Sequence, residues 1–209
     1  MANTNTNPKV QTMARMAILV AIIFLLAFTP LGYLVIGPIA ATTIQMPVII
    51  GAVLMGPAAG ATLGLFFGLS ALIKVMTMPG ADAVATAIMT YSPFLYIVIA
   101  IVPRVLMGWL AGLIGKGLSG LKAFQGNRCI IAYGITGFVG SMMNTVFYLG
   151  SMWLLASNIV AQVYQMDISG VGAMVMGVAA TAGIPEAAVS CLVVGAVSRA
   201  LKSLFKYQR

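Results

Sequence analysis

Two ionisable side chains sit inside long apolar runs, far from any polar segment: Arg104 and Glu186. At 1.5 Å of rise per residue, Arg104 lies about 15–18 Å and Glu186 about 22–24 Å from the ends of their runs, near the same depth. A charge so placed in an apolar phase is costly, and is kept where it is paired or used. Two readings follow. Arg104 and Glu186 form a structural ion pair that neutralises both. Alternatively, Arg104 is left to receive the carboxylate of a bound molecule on its planar fork of N–H donors. Asn144, followed by Thr145, lies midway along another apolar run, where an amide must bond either a neighbouring helix or a ligand. Lys74 stands near the end of a third, placed either to snorkel to the interface or to attract an anion. Thr42, Thr43 and Gln45 cluster just before Pro47, and Tyr91-Ser92 precedes Pro93.

What is missing narrows the chemistry. The chain has no histidine and only three acids, Asp82, Asp167 and Glu186. That leaves no paired carboxylates for acid–base work, no histidine-based triad and no metal-ligand set. Cys129 and Cys191 both lie in apolar stretches and read as inert small hydrophobes. Gly115-Lys116 is followed by Gly117, without the Ser or Thr that a phosphate-binding P-loop places next, so the chain does not hydrolyse ATP itself. Neither an enzymatic activity nor a cofactor is expected.

The elements that must position these groups are membrane spans. Hydrophobic residues make up 61% of the 209 and charged residues 7%, where a soluble domain carries about a quarter charged. Mean hydropathy is +1.07. About 20 apolar residues cross a bilayer, and Gly/Pro punctuation divides the chain into six such runs: about 12–29, 38–55, 58–76, 94–116, 129–156 and 171–202. Residues 1–11 read as a polar tail and 204–209 as a basic one. The first run ends in Thr29-Pro30 and reads as a span, not as a cleaved leader. The expected fold is therefore an all-α integral membrane bundle of six helices. The second run is entered at Gly37-Pro38, and the segment from Thr77 to Ser92, with Gly80, reads as a long loop, with or without a short interfacial helix, suited to gating.

Charge placement gives the orientation. Lys9, Arg15, Lys116, Lys122, Arg128, Arg199, Lys202, Lys206 and Arg209 all fall on one side of a six-span arrangement. By the positive-inside rule both termini are cytoplasmic. This distribution, confined to ends and one loop, does not suit nucleic acid. Small residues mark helix contacts: Gly56, Gly60, Gly64 and Gly68 on the third run, Gly183, Ala187, Cys191 and Gly195 on the sixth, Ala17 and Ala21 on the first.

Several stretches resemble a known family. They are Phe28-Thr29-Pro30-Leu31-Gly32, Ala41-Thr42-Thr43-Ile44-Gln45-Met46-Pro47, and Leu54-Met55-Gly56-Pro57 with Gly60, Gly64 and Gly68. Tyr91-Ser92-Pro93-Phe94, Pro103-Arg104 with Gly108, and Asn144-Thr145 continue the likeness. Together they are similar to the substrate-binding (S) components of energy-coupling factor (ECF) vitamin transporters, most of all the pantothenate-type branch. The resemblance implies a bacterial plasma-membrane protein that binds one water-soluble vitamin from outside. It further implies assembly with a transmembrane coupling protein and two cytoplasmic ATPases, which power uptake. Ala17 and Ala21 match the family's AxxxA contact for the coupling protein. For pantothenate, Arg104 or Lys74 would supply the charge, with Asn144, Gln45, Thr43 and Tyr91 around it. The branch commonly reads Ile-His-Ile-Pro where this chain has Ile44-Gln45-Met46-Pro47, and Gln45 cannot take a proton charge. Other vitamins, such as riboflavin or folate, and a proton-coupled carrier built on Glu186, are the competing readings.

Overall fold

The structure is a computed structural model that describes residues 8–36 and 39–206. Eight α-helices and one β-hairpin are present among them. The helices are α1 Pro8–Ala27, α2 Gln45–Met55, α3 Pro57–Thr77, α4 Ala83–Tyr91, α5 Pro93–Gly120, α6 Cys129–Tyr164, α7 Ile168–Val178 and α8 Ile184–Lys206. Strands β1 Tyr33–Ile36 and β2 Ile39–Thr42 pair antiparallel, with Tyr33 opposite Thr42 and Ile36 opposite Ile39. Five helical rods are long and apolar enough to cross a membrane: Lys9–Ala27, Pro57–Thr77, Pro93–Gly120, Gly126–Tyr164 and Ile168–Lys202. The chain is a multi-pass helical membrane protein.

The second expected span is corrected. Its first part is the hairpin, and the helix that follows starts only at Gln45 and runs 11 residues. That is about 16 Å of helix, short of the roughly 30 Å hydrocarbon core. Gly37-Pro38, read as the start of that span, and the terminal stretches 1–7 and 207–209 lie outside the described residues. At the other end of the first run, α1 already begins at Pro8, inside the stretch read as a polar tail.

Local chemistry sets the other boundaries. Pro57 and Pro93 occupy first-turn positions, where a missing N–H costs nothing. Ser92 Oγ accepts from the Leu95 N–H at 3.3 Å, and Asp82 Oδ1 caps α4 through the Ala85 N–H at 3.0 Å. The stretch read as a gating loop is thus largely the helix α4, which buries Val84, Ala85 and Ile88. α6 continues past the expected end of its span through a kink at Ala156 (φ −134°). Between α7 and α8 the rod widens into a π-turn, Ala179–Gly183. The widening sits where Pro185 withdraws its N–H from the ladder.

Glycine stripes fix how the helices meet. α3 and α5 run antiparallel in register. A Cβ on Gly60 would strike the Gly108 carbonyl, one on Gly64 the Arg104 carbonyl, and one on Gly68 the Ala100 carbonyl. Each step of four residues up α3 is a step of four down α5. α6 and α8 meet likewise: a Cβ on Gly137 would come 2.6 Å from the Ser190 carbonyl oxygen, and one on Gly134 3.2 Å from that of Cys191. The stripes on the third and sixth runs therefore pack within the chain. Two large buried clusters result, beside a small one of Cys129, Ala132 and Tyr133. One joins Ile23, Ile44, Val48, Ile49, Leu63, Phe67 and Met107. The other joins Val75, Val84, Ile88, Tyr96, Ile99, Val160 and Val171.

Candidate functional site

A cavity of about 360 Å³ opens at the junction of these clusters, bounded by Ala27, Ile44 and Phe67 from one and Val75 and Tyr96 from the other. It is at the small end of ligand sites. Helical periodicity supplies its polar lining. On α3, Phe67, Ser70, Ala71, Lys74 and Val75 share one face; on α5, Tyr96 and Arg104 lie two turns apart; on α6, Asn144 and Tyr148 lie one turn apart. Thr42 closes one wall from the end of β2, and Met78, Ala81 and Asp82 form a rim between α3 and α4.

Of the charged side chains on the cavity, Arg104 is the most buried, at 8% exposed. Its guanidinium carbon is 4.7 Å from the Phe67 ring centroid and 4.6 Å from that of Tyr148. The group is held between two rings, with its N–H edge left for polar partners. One terminal nitrogen, Nη1, donates back to the Ala100 carbonyl at 2.5 Å and, more distantly, to that of Ile99 at 3.5 Å. Ile99 is the residue whose carbonyl Pro103, lacking an N–H, leaves without its helical donor. Among the described residues Arg104 Nε has no hydrogen-bond partner, and neither does Asn144 Oδ1, on a side chain also 8% exposed. The Gly64 contact fixes the depth of this arginine, since α3 touches its own carbonyl.

The Arg104–Glu186 ion pair does not form, and this expectation is corrected. Glu186 is buried elsewhere: its Oε2 accepts the Thr42 N–H at 3.1 Å and its Oε1 contacts Thr42 Oγ1 at 2.9 Å. Gln45 Nε2 donates to the same Oε1 and to Ser141 Oγ, the latter at 2.9 Å. The reason is lateral. α5 packs on α3, α6 and α2, whereas α8 packs on α6 and α2, which stand between the two. Equal depth did not mean a shared face.

The remaining expected site residues divide. Arg104, Asn144 and Lys74 come together on the cavity. Gln45 is fully buried behind its wall, in the Glu186 cluster. Thr43 donates from Oγ1 to the Leu31 carbonyl at 2.8 Å and ties down the loop after α1. Tyr91 is 76% exposed and borders a separate surface crevice with Gln162 and Asp167. Phe67, Ser70 and Tyr96 belong to the lining and were not singled out from sequence. Phe67 and Ser70 could have been, at one-turn steps from Lys74 on α3. Ala17 and Ala21 are exposed on α1, and Ala17 borders an apolar groove with Met13, Met16, Val20 and Phe66.

A membrane-embedded helical bundle enclosing a small cavity, with a cation and an orphaned amide oxygen at depth, is built to bind a small molecule. Residues 11–198 match the family described as the substrate-specific component of ECF transporters, and the chain belongs to that family. Two curated relatives are similar in sequence. The "Pantothenate transporter PanT" of Leuconostoc mesenteroides is 32% identical over 70% of this chain and 68% of its own length. The "Pantothenic acid transporter PanT" of Lactococcus lactis subsp. cremoris is 30% identical over 56% of this chain and 58% of its own length, under two thirds of that relative. Membership makes the protein the substrate-specific component of a transporter.

Proposed function

We infer that the chain is the high-affinity binding subunit of an ECF-type importer, that its substrate is pantothenate, and that the cavity at Arg104 is where it binds. One observation carries this reading: a buried guanidinium with no carboxylate partner, its Nε unsatisfied, beside an unsatisfied Asn144 Oδ1. A buried cation needs an anion, and a lone amide oxygen needs a donor. Pantothenate offers one carboxylate, hydroxyl groups and an amide N–H. Arg104 takes the carboxylate, Asn144 accepts from a hydroxyl or the amide, and Lys74 attracts the anion at the outer part of the cavity. The names of the two relatives agree with this substrate.

In this reading the short buried helix α2 serves as the sixth membrane segment and both termini face the cytoplasm, in keeping with the placement of the basic residues. The membrane is the bacterial plasma membrane. The chain binds its vitamin from outside and docks on the coupling protein through the exposed Ala17–Ala21 face of α1. Two ATPases on that protein supply the energy. The test is native mass spectrometry of the purified chain, then a thermal-shift screen of water-soluble vitamins. A copurifying or strongly stabilising pantothenate supports the proposal, because a tight ligand of the folded state must raise its stability. Stabilisation by riboflavin or folate instead, or pantothenate binding undiminished in Asn144→Ala, refutes it.

A further inference from the structure

At the end of the bundle opposite the cavity's rim, α5 gives way to α6 and α8 stops, and the side chains there are basic without acids. The three acids of the sequence lie elsewhere: Asp82 caps α4, Asp167 precedes α7, and Glu186 is buried within the bundle. Arg199, late in α8, donates from Nη2 to Asn127 Oδ1 at 3.1 Å, which holds an exposed guanidinium across to the turn that opens α6. Arg128, also exposed, is the next residue of that turn. Lys202 is set differently, its ammonium 5.4 Å from the centroid of the buried Tyr133 ring. An apolar strip leads away from the two arginines. α6 and α8 touch where a Cβ on Gly195 would come 3.2 Å from the Ile130 carbonyl oxygen and one on Gly134 3.2 Å from that of Cys191. One position further along each helix are Ile131 and Ile135 on α6 and Leu192 and Ala196 on α8, all exposed. One position is a rotation of about 100°. In an antiparallel pair the same rotation on both helices points to one side of the seam, so these side chains flank it together. Arg199 follows Gly195 by four residues, about 40° round, and stands on that side too. From Arg199 up to the exposed Ala188 is about 16 Å of helix, the depth of one leaflet of a hydrocarbon core about 30 Å thick.

We propose that this side of the α6–α8 seam binds one anionic phospholipid, its phosphodiester on Arg199 and Arg128 and an acyl chain along the apolar strip. The charge selects the headgroup. A zwitterionic lipid offers the same chain and phosphate but adds an ammonium, which two guanidinium groups with no acid beside them repel. An anionic headgroup meets no such opposition, and arginine takes phosphate oxygens on two parallel N–H bonds. Asn127 holds Arg199 without neutralising it, because an amide oxygen accepts a hydrogen bond and carries no charge. The strip selects an amphiphile over a free phosphate, since it gives the chain a row of exposed apolar side chains that begins at the cations. The site shares no residue with the cavity at Arg104, so it stands whatever that cavity binds.

The experiment titrates the full chain, purified in mild detergent, with phosphatidylglycerol and with phosphatidylcholine of the same acyl chains, and counts bound lipid by native mass spectrometry. Three variants accompany it: Arg128→Gln with Arg199→Gln, Asn127→Ala, and Lys9→Gln with Lys116→Gln, which removes the same charge from α1 and α5. Each basic residue at an anionic lipid is worth about fivefold in affinity, so wild type should bind one phosphatidylglycerol about 25-fold more tightly than phosphatidylcholine. The arginine pair should bind the two lipids alike, within about threefold. Asn127→Ala keeps every charge but frees Arg199, and should weaken phosphatidylglycerol by about threefold or more. The lysine pair should stay within about twofold of wild type. Equal binding of the two lipids by wild type overturns the proposal, as does a preference that survives in the arginine pair. A lysine pair that loses as much as the arginine pair, or an unaltered Asn127→Ala, shows that net charge alone attracts the lipid and overturns it too. Glycerol phosphate, the head without the chain, should not displace the lipid at equal concentration; displacement removes the strip from the site and the proposal with it. If the arginine pair does not fold, Asn127→Ala and the lysine pair decide by the same titration.

Discussion

Replacing Arg104 with methionine keeps a long side chain between Phe67 and Tyr148 and removes the charge. The effect on binding should be large and the effect on stability small. Truncating one partner of a buried, hydrogen-bonded charge pair costs about 2–5 kcal/mol, or roughly 30- to 5,000-fold in Kd. The ligand-free protein gives up two ring contacts, worth about 0.5–2 kcal/mol each, and the bond to the Ala100 carbonyl. Against that, it no longer buries an uncompensated cation, which costs several kcal/mol. The ligand-free Tm should therefore not fall by more than about 3 °C, on a scale of about 2–4 °C per kcal/mol for a chain of this size. Calorimetric titration of purified protein with pantothenate and with its alcohol analogue, which lacks the carboxylate, isolates the contact. Wild type should prefer the acid by the factor above, and Arg104→Met should bind the two alike, within about threefold. An Arg104→Met variant that still prefers the acid tenfold or more refutes the assignment. A variant that loses both ligands together with its Tm shows instead that Arg104 only holds the fold.

Three further outcomes are expected. Gly64→Leu must part α3 from α5, because its Cβ would meet the Arg104 backbone, including its carbonyl oxygen, and lie 3.0 Å from Val105 Cα. Overpacking of this kind costs about 1–3 kcal/mol or more, so Tm should fall by about 3–10 °C, whereas Gly117→Ala, with nothing within 4 Å, should leave it unchanged. Ala17→Trp with Ala21→Trp should leave pantothenate binding intact and abolish co-purification with the coupling protein; retained assembly would remove α1 from that interface. Tyr91→Ala should alter Kd by less than about twofold, because a side chain this exposed and remote from the cavity contributes little; a tenfold loss in titration would return it to the site.

Much of the fold was legible because its boundaries carry their own chemistry. Pro57, and Ser92 with Pro93, start α3 and α5 where the punctuation says they should. The glycine ladder on α3 announces a close neighbour, though not that α5 is that neighbour. The hairpin was not legible. Tyr33-Leu34-Val35-Ile36 and Ile39-Ala40-Ala41-Thr42 form one apolar run broken only by Gly37-Pro38, and short apolar runs do not tell strand from helix by periodicity. The extension of α6 beyond Ala156 was hidden for the opposite reason: the sequence stays apolar and helix-compatible through a kink that one residue's backbone absorbs.

The site shows what depth along a helix can and cannot decide. Arg104, Asn144 and Lys74 were singled out because polar groups in apolar runs must find partners, and all three border one cavity. The same argument made Glu186 the natural partner of Arg104, and there it failed. Depth fixes one coordinate; the rotation of each helix and the order of helices around the bundle fix the others. Here α2 and α6 lie between α5 and α8, so the acid turns to Thr42 and Gln45 and the arginine to two aromatic rings. The separation has a consequence for binding. Had the two groups met, a ligand carboxylate would have had to displace Glu186 from Arg104, exchanging one charge-assisted contact for another with little net gain. Apart, the acid bonds Thr42 and Gln45 and the cation keeps an unpartnered Nε among the described residues, which in the proposed reading a bound carboxylate satisfies.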